Sequence, residues 1–107
     1  MIRGDLISVI VPGAYGKPRP AVIIQSDLFE EHPSVVVLPV SSTLRETPLF
    51  RIRIEPSSEN GLQSVSDIMI DKITTIPRKK TGPVFGRIED RHMISIERLL
   101  PVFLGIA

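Results

Sequence analysis

The sequence predicts a mainly β fold: a small, strongly bent sheet closing toward a barrel, with one helix at the C-terminus. Short runs of apolar, often β-branched residues recur along most of the chain, separated by clusters of Gly, Pro, Ser and Asn. Two runs, at 21–25 and 35–40, are almost unbroken, which suits strands buried on both faces. After Asp90 the apolar spacing changes to three or four residues, one face of a helix.

Residues 6–11 are apolar apart from Ser8 and form the expected first strand. Residues 12–18 read as a loop from their Gly and Pro content, with Tyr15 and Lys17 its large side chains. Tyr15, beside Gly16, either stacks on a base or a partner or folds over its own loop. The second strand is 21–25. Ser26 or Asp27 then caps a short helical turn that Pro33 ends, with Leu28 and Phe29 tucked under the sheet. The third strand, 35–40, runs into Ser41-Ser42-Thr43. Those hydroxyls either satisfy a turn or form a polar cluster beside Arg19. Residues 50–55 alternate strictly, so Arg51, Arg53 and Glu55 should face water. A turn-rich loop at 56–61, a strand at 66–70, an extended segment at 73–76, a basic turn at 77–83 and a last strand at 84–88 follow. In the helix Met93, Ile96, Leu100 and Phe103 share a face, Asp90 is the expected cap, and Pro101 should kink or break it.

The 107 residues make a single domain, 1–107, with no repeat or linker. With 42% apolar and 23% charged residues the chain is globular, and no run of about 18 apolar residues is present to span a membrane. Arg3 and Asp5 stand where a signal peptide needs its apolar core, so the expected location is cytoplasmic. The absence of cysteine excludes disulfides and thiolate chemistry. A net charge of +1 requires any nucleic-acid site to be a local patch. So small a domain would gain by burying a face in a dimer.

Arg19 is the chemically most pointed residue. Pro18 and Pro20 fix φ on both sides of it, at the mouth of the second strand. A guanidinium held that way meets a phosphate with two parallel hydrogen bonds, or else pairs with a surface carboxylate. Other chemistry lacks support. His32 and His92 have no ligand-like spacing to acids, so neither a metal nor another cofactor is expected. No glycine loop joins a strand to a helix to cradle a nucleotide phosphate. Arginine, hydroxyls, Asp71 and lysines at strand ends remain.

In their order, several segments carry a resemblance. These are Arg3-Gly4-Asp5, the stretch Gly16-Lys17-Pro18-Arg19-Pro20-Ala21-Val22-Ile23-Ile24, and Val36-Val37-Leu38-Pro39-Val40-Ser41-Ser42. The segment 66–76 with Asp71 at its middle, Gly86-Arg87-Ile88 and the terminal Phe103-Leu104-Gly105 complete it. Together the chain resembles the MazF/PemK (Kid-like) toxins of type II toxin–antitoxin systems over nearly its whole length. The resemblance implies an SH3-like barrel with a C-terminal helix, shared with CcdB, and a homodimer. It implies a metal-independent endoribonuclease (an mRNA interferase) that cuts single-stranded RNA at a short sequence, and a cognate antitoxin. It matches Arg19, Ser41 and Asp71 to catalytic positions, with Ser42 beside Ser41. Apart from the resemblance, Tyr15, Lys17, Ser42, Arg45 and Lys72 are the expected RNA contacts, loop side chains such as Tyr15 and Arg45 holding splayed bases. Met69 and Thr74 depart from arginines common in the family, and the loop carries Tyr15-Gly16-Lys17 in place of the usual acid-containing pair.

RNA chemistry makes that assignment intelligible. The 2′-hydroxyl attacks the adjacent phosphate, Arg19 holds the added charge, and Ser41 bonds the phosphate or orients the hydroxyl. Serine alone is too weak a base, so Asp71 is the expected proton acceptor. The products would carry a 2′,3′-cyclic phosphate and a 5′-hydroxyl. Two alternatives share the fold. A gyrase poison of the CcdB type needs a tryptophan in its tail, and this chain has none. A non-catalytic interaction barrel is the other.

Overall fold

Strand β3, Ser34–Ser41, is the spine on which the rest is laid. The structure, a computed structural model, describes residues 1–10, 16–47 and 49–106. The other strands are β1 Asp5–Val9, β2 Arg19–Ile23, β4 Arg51–Ile54, β5 Ser66–Met69, β6 Thr74–Pro77 and β7 Thr81–Arg87. They form one antiparallel sheet in the order β4-β5-β3-β2-β1-β7, while β6 curls back onto β3. β3 divides its edge: Ser34 to Val37 pair with β6, and Val40 and Ser41 pair with β5. The sheet bends as expected, but its hydrogen-bonded path stays open.

Alternate residues of the central strands enter two separate cores. Leu6, Val22, Leu38, Ile52, Ile54 and Ile68 pack with Ile96 of the helix α1, Asp90–Leu104. Ile7, Val9, Ala21, Ile23, Val35 and Val37 pack with Ile76 on the opposite face. Both faces are dry, which is why these strands carry continuous apolar runs. The expected pairing of the second and third strands is present, with Ala21 opposite Pro39 and Ile23 opposite Val37.

Several expectations need correction. Leu28 and Phe29 do not tuck under the sheet and are 89% and 56% exposed. Their 3-10 turn, Asp27–Phe29, is capped by the Ser26 hydroxyl. The sheet face nearby is already filled by Ile23, Val35 and Ile76. Pro101 does not break α1, which continues to Leu104. It lies in the last turn, and its carbonyl accepts the Ile106 N–H beyond Gly105, whose φ is 77°. The N-cap is Glu89 rather than Asp90. The expected strand at 66–70 stops at Met69 because residues Ile70–Lys72 wind into a 3-10 turn.

Arg51 is the correction that bears on the site. Ile52 and Ile54 point inward as the alternation requires, and Arg53 and Glu55 are exposed. The Arg51 side chain, however, is only 9% exposed and pairs with Asp71 at 3.3 Å. The turn holding Asp71 packs against β4 and covers it. Alternation assigns a face but not what lies over that face.

Candidate active-site cleft

Arg19 is the first residue of β2, opposite Val9, and its side chain is exposed. It has no hydrogen-bond or ion-pair partner among the described residues. It opens on a cleft of about 430 Å³. Ser8, Pro18, Pro20, Val40, Ser42, Ser66 and Phe85 line the cleft from the strands and the residues adjoining β2 and β3, and Gly61, Leu62, Gln63 and Ser64 line it from the loop before β5. The flanking prolines limit the backbone below Arg19, so a free cation is presented from a stiff base.

The structure separates the other expected residues. Ser42 is exposed and lines the cleft with Arg19. Ser41 is half-buried and absent from that lining. Its hydroxyl accepts the Thr43 N–H at 3.0 Å, and across the sheet it lies opposite Asp67. Outward from the pair Ala21–Pro39, Arg19 and Ser41 are the next residues of like parity on their two strands. Asp71 lies outside the cleft lining, in its ion pair with Arg51. Lys17 and Lys72 are exposed, neither on the cleft, and Tyr15 falls outside the described residues. Arg45 belongs to a neighbouring hollow of about 250 Å³, with Glu46, Thr47, Arg51, Arg53 and Asp67.

Two buried polar residues that the sequence reading passed over hold these walls. Asn60 is fully buried. Its carbonyl oxygen accepts the N–H groups of Ser57 and Leu62, and its amide donates to the Glu55 carbonyl and the Glu89 carboxylate. Every bond an asparagine side chain can make is made, which fixes the turn leading into the Gly61–Ser64 wall. Asp67 is 1% exposed and fixes the loop after Ser42, accepting the Arg45 N–H at 2.8 Å and Arg53 Nε at 3.1 Å. An acid inside the apolar strand run 65–70 was the available signal for Asp67, whereas Asn60, in the polar stretch 56–61, carried none.

The Asn60 network makes the fold acid-sensitive. Burial pushes the Glu89 carboxyl up, but bonds from the Ser57 hydroxyl, a backbone N–H and the Asn60 amide outweigh it and hold its pKa below the ordinary value. Burial also lowers the pKa of His92, one turn along α1. For His92 the unfolded chain takes the proton first, so stability falls as pH drops below about 6.5. For Glu89 the ionised form is favoured by folding, so its contribution is present above about 4.5 and lost as pH falls through its lower folded value. The melting temperature should therefore decline in two stages. Melts over that pH range should show His92→Gln removing the first stage and keeping the second.

Comparison with known proteins agrees with this architecture. Residues 2–104 match the family described as PemK-like, MazF-like toxin of type II toxin-antitoxin system. The chain is 48% identical to a probable endoribonuclease MazF of Mycolicibacterium smegmatis, covering 100% of this chain and 99% of that protein. It is 26% identical to an endoribonuclease MazF of Staphylococcus epidermidis, over 97% of this chain and 91% of the other. In fold it is similar to a mycobacterial endoribonuclease solved in complex with its cognate antitoxin. The TM-score is 0.83 at 21% identity, with 100% and 97% of the two chains covered.

Proposed function

This chain belongs to the PemK-like, MazF-like toxins of type II toxin–antitoxin systems, and we propose that it cuts single-stranded RNA, mRNA in the cell, by attack of the 2′-hydroxyl, with Arg19 as the phosphate-binding residue. Endoribonuclease activity comes with the family and with the 48% identical relative. The observation that carries the assignment to Arg19 is a guanidinium without a partner among the described residues, held between two prolines, opening on a cleft shared with Ser42.

Among the described residues the cleft lining contains hydroxyls, one amide and one guanidinium, and no carboxylate or imidazole. Such a surface stabilises charge more readily than it takes protons. Arg19 holds the phosphorane oxygens as they gain charge. Ser42 donates a hydrogen bond to the phosphate, and Ser41, its neighbour, shapes the turn that presents it. Asp71, engaged by Arg51, acts as proton acceptor only if it leaves that pair. No metal enters this scheme. Lys17 and Lys72 supply backbone contacts to RNA, and Tyr15 a stacking surface.

A homodimer and a cognate antitoxin are the proposed partners. Leu49, Val102, Phe103, Leu104 and Ile106 leave an exposed apolar surface around the end of α1, which suits burial between two copies. Sedimentation at micromolar concentration should show a dimer, and monomer alone would count against it. The activity is tested with a single-stranded RNA and a chelator present. We expect cleavage with a 2′,3′-cyclic phosphate end, and no cleavage of a substrate carrying 2′-deoxyribose on the 5′ side of the scissile phosphate. Cutting of that deoxy substrate would refute the 2′-hydroxyl route.

A further inference from the structure

Asp67 has no place in the chemistry above, yet it is the only carboxylate among the buried side chains of the described residues. It sits in mid-strand on β5, opposite Ser41 of β3 on one side and Arg53 of β4 on the other. Burying a charge there is costly, and an apolar side chain would fill the site more cheaply. What the carboxylate does is local. One oxygen accepts the Arg45 N–H and the other accepts Arg53 Nε. Arg53 then closes a ring, its Nη2 donating to the Arg45 carbonyl at 3.2 Å and its Nη1 to Glu46 at 3.1 Å.

Arg45 is thus held by both of its peptide groups. Its guanidinium is exposed and has no partner among the described residues. The hollow it borders mixes donors and acceptors: the cations of Arg45, Arg51 and Arg53 are matched by Glu46 and Asp67 on its walls and by Asp71 behind Arg51. The Thr47 hydroxyl, buried at its edge, also lacks a partner among the described residues. A phosphate would prefer an excess of positive charge. A charge-balanced hollow of about 250 Å³ with unfilled donors suits the edge of a planar base.

We propose that the Asp67–Arg53 pair is a positioning clamp that fixes Arg45 to read a guanine in the RNA, making Arg45 a determinant of where the chain cuts. Arginine meets the O6 and N7 acceptors of guanine with two parallel donors, and in single-stranded RNA that edge is free. On β5, Ser66 lines the cleft and its neighbour Asp67 lines the hollow, so the guanine would lie across this end of the sheet from the scissile phosphate. The proposal rests on the RNA-cleavage reading above.

The test is to digest a random-sequence single-stranded RNA with the native chain and with Arg45→Ala, Arg45→Lys, Asp67→Asn and Asp67→Val, sequence the cut ends, and melt each variant. In the native profile one position should favour guanine. Arg45→Ala should reduce that preference about 10- to 100-fold, and Arg45→Lys should restore little of it. Asp67→Asn and Asp67→Val should weaken the preference at that same position, because Arg45 loses its anchor while exposed Arg53 stays hydrated and the chain stays folded. A melting shift in the Asp67 variants with an unchanged base profile would make Asp67 merely structural and overturn the clamp. Loss of cutting in Arg45→Ala by one factor at every sequence would make Arg45 a phosphate contact and overturn the guanine assignment. If the native chain cuts but no preference depends on Arg45, this inference fails and the nuclease reading stands. If the native chain cuts no RNA, both fall.

Discussion

Arg19→Ala is expected to cut single-stranded RNA about 100- to 1000-fold more slowly than the native chain, the loss typical of removing one donor that faces developing charge. Stability should hardly change. The guanidinium is exposed, has no protein partner among the described residues, and stands outside both cores. Surface changes of that kind stay within about 0.5 kcal/mol. Arg19→Lys should rescue little, because an ammonium cannot copy the planar fork that spans two phosphate oxygens. Glu55→Ala is a suitable control, since its side chain is exposed and lies off the cleft. Arg51 would be a poor one, because removing it leaves Asp71 half-buried without its counter-charge. Rates and melting temperatures of the four proteins decide the matter. Undiminished cutting by Arg19→Ala would remove Arg19 from the chemistry, and a large drop in melting temperature would make it structural.

The parts of the molecule that the sequence disclosed are those where one residue's environment follows from its neighbours in the chain. The runs around Val22 and Leu38 are continuous because each face of their strands meets a separate core. The three- and four-residue spacing of Met93, Ile96 and Leu100 marks one packed face of α1. What was hidden depends on distant segments. Nothing near Arg51 announces Asp71, and only the 3-10 turn after Met69 brings them together. Ser41 and Ser42 are chemically alike in the chain. The turn that engages the Ser41 hydroxyl leaves Ser42 on the cleft. The place of Arg19 at the mouth of β2 was legible because its two prolines are adjacent to it. Asp67 was not, because its partners lie 14 and 22 residues away.

Gly86→Ala is expected to destabilise the chain by more than about 3 kcal/mol and to remove cleavage with the fold. Gly86 lies in β7 opposite Leu6. A Cβ at that position would collide with the backbone carbonyl of Asn60, and no flexible side chain is there to yield. Relief requires moving either β7 away from β1 or the 57–62 turn away from β7. The second route breaks the bonds of the buried Asn60 amide to the Glu55 carbonyl and the Glu89 carboxylate and displaces Gly61 and Leu62 from the cleft wall. Gly61 is itself locked there, with φ of 68° and a virtual Cβ 2.7 Å from the Phe85 carbonyl. Gly105→Ala separates collision from backbone strain: its φ is 77°, but its Cβ would meet nothing within 4 Å. That change should cost only about 1 to 2 kcal/mol, the penalty of a side chain in left-handed geometry. Denaturant melts of both variants, with cleavage assayed below each transition, test the argument. Equal, small losses would show that the Asn60 turn yields easily and is not what holds the cleft wall in place.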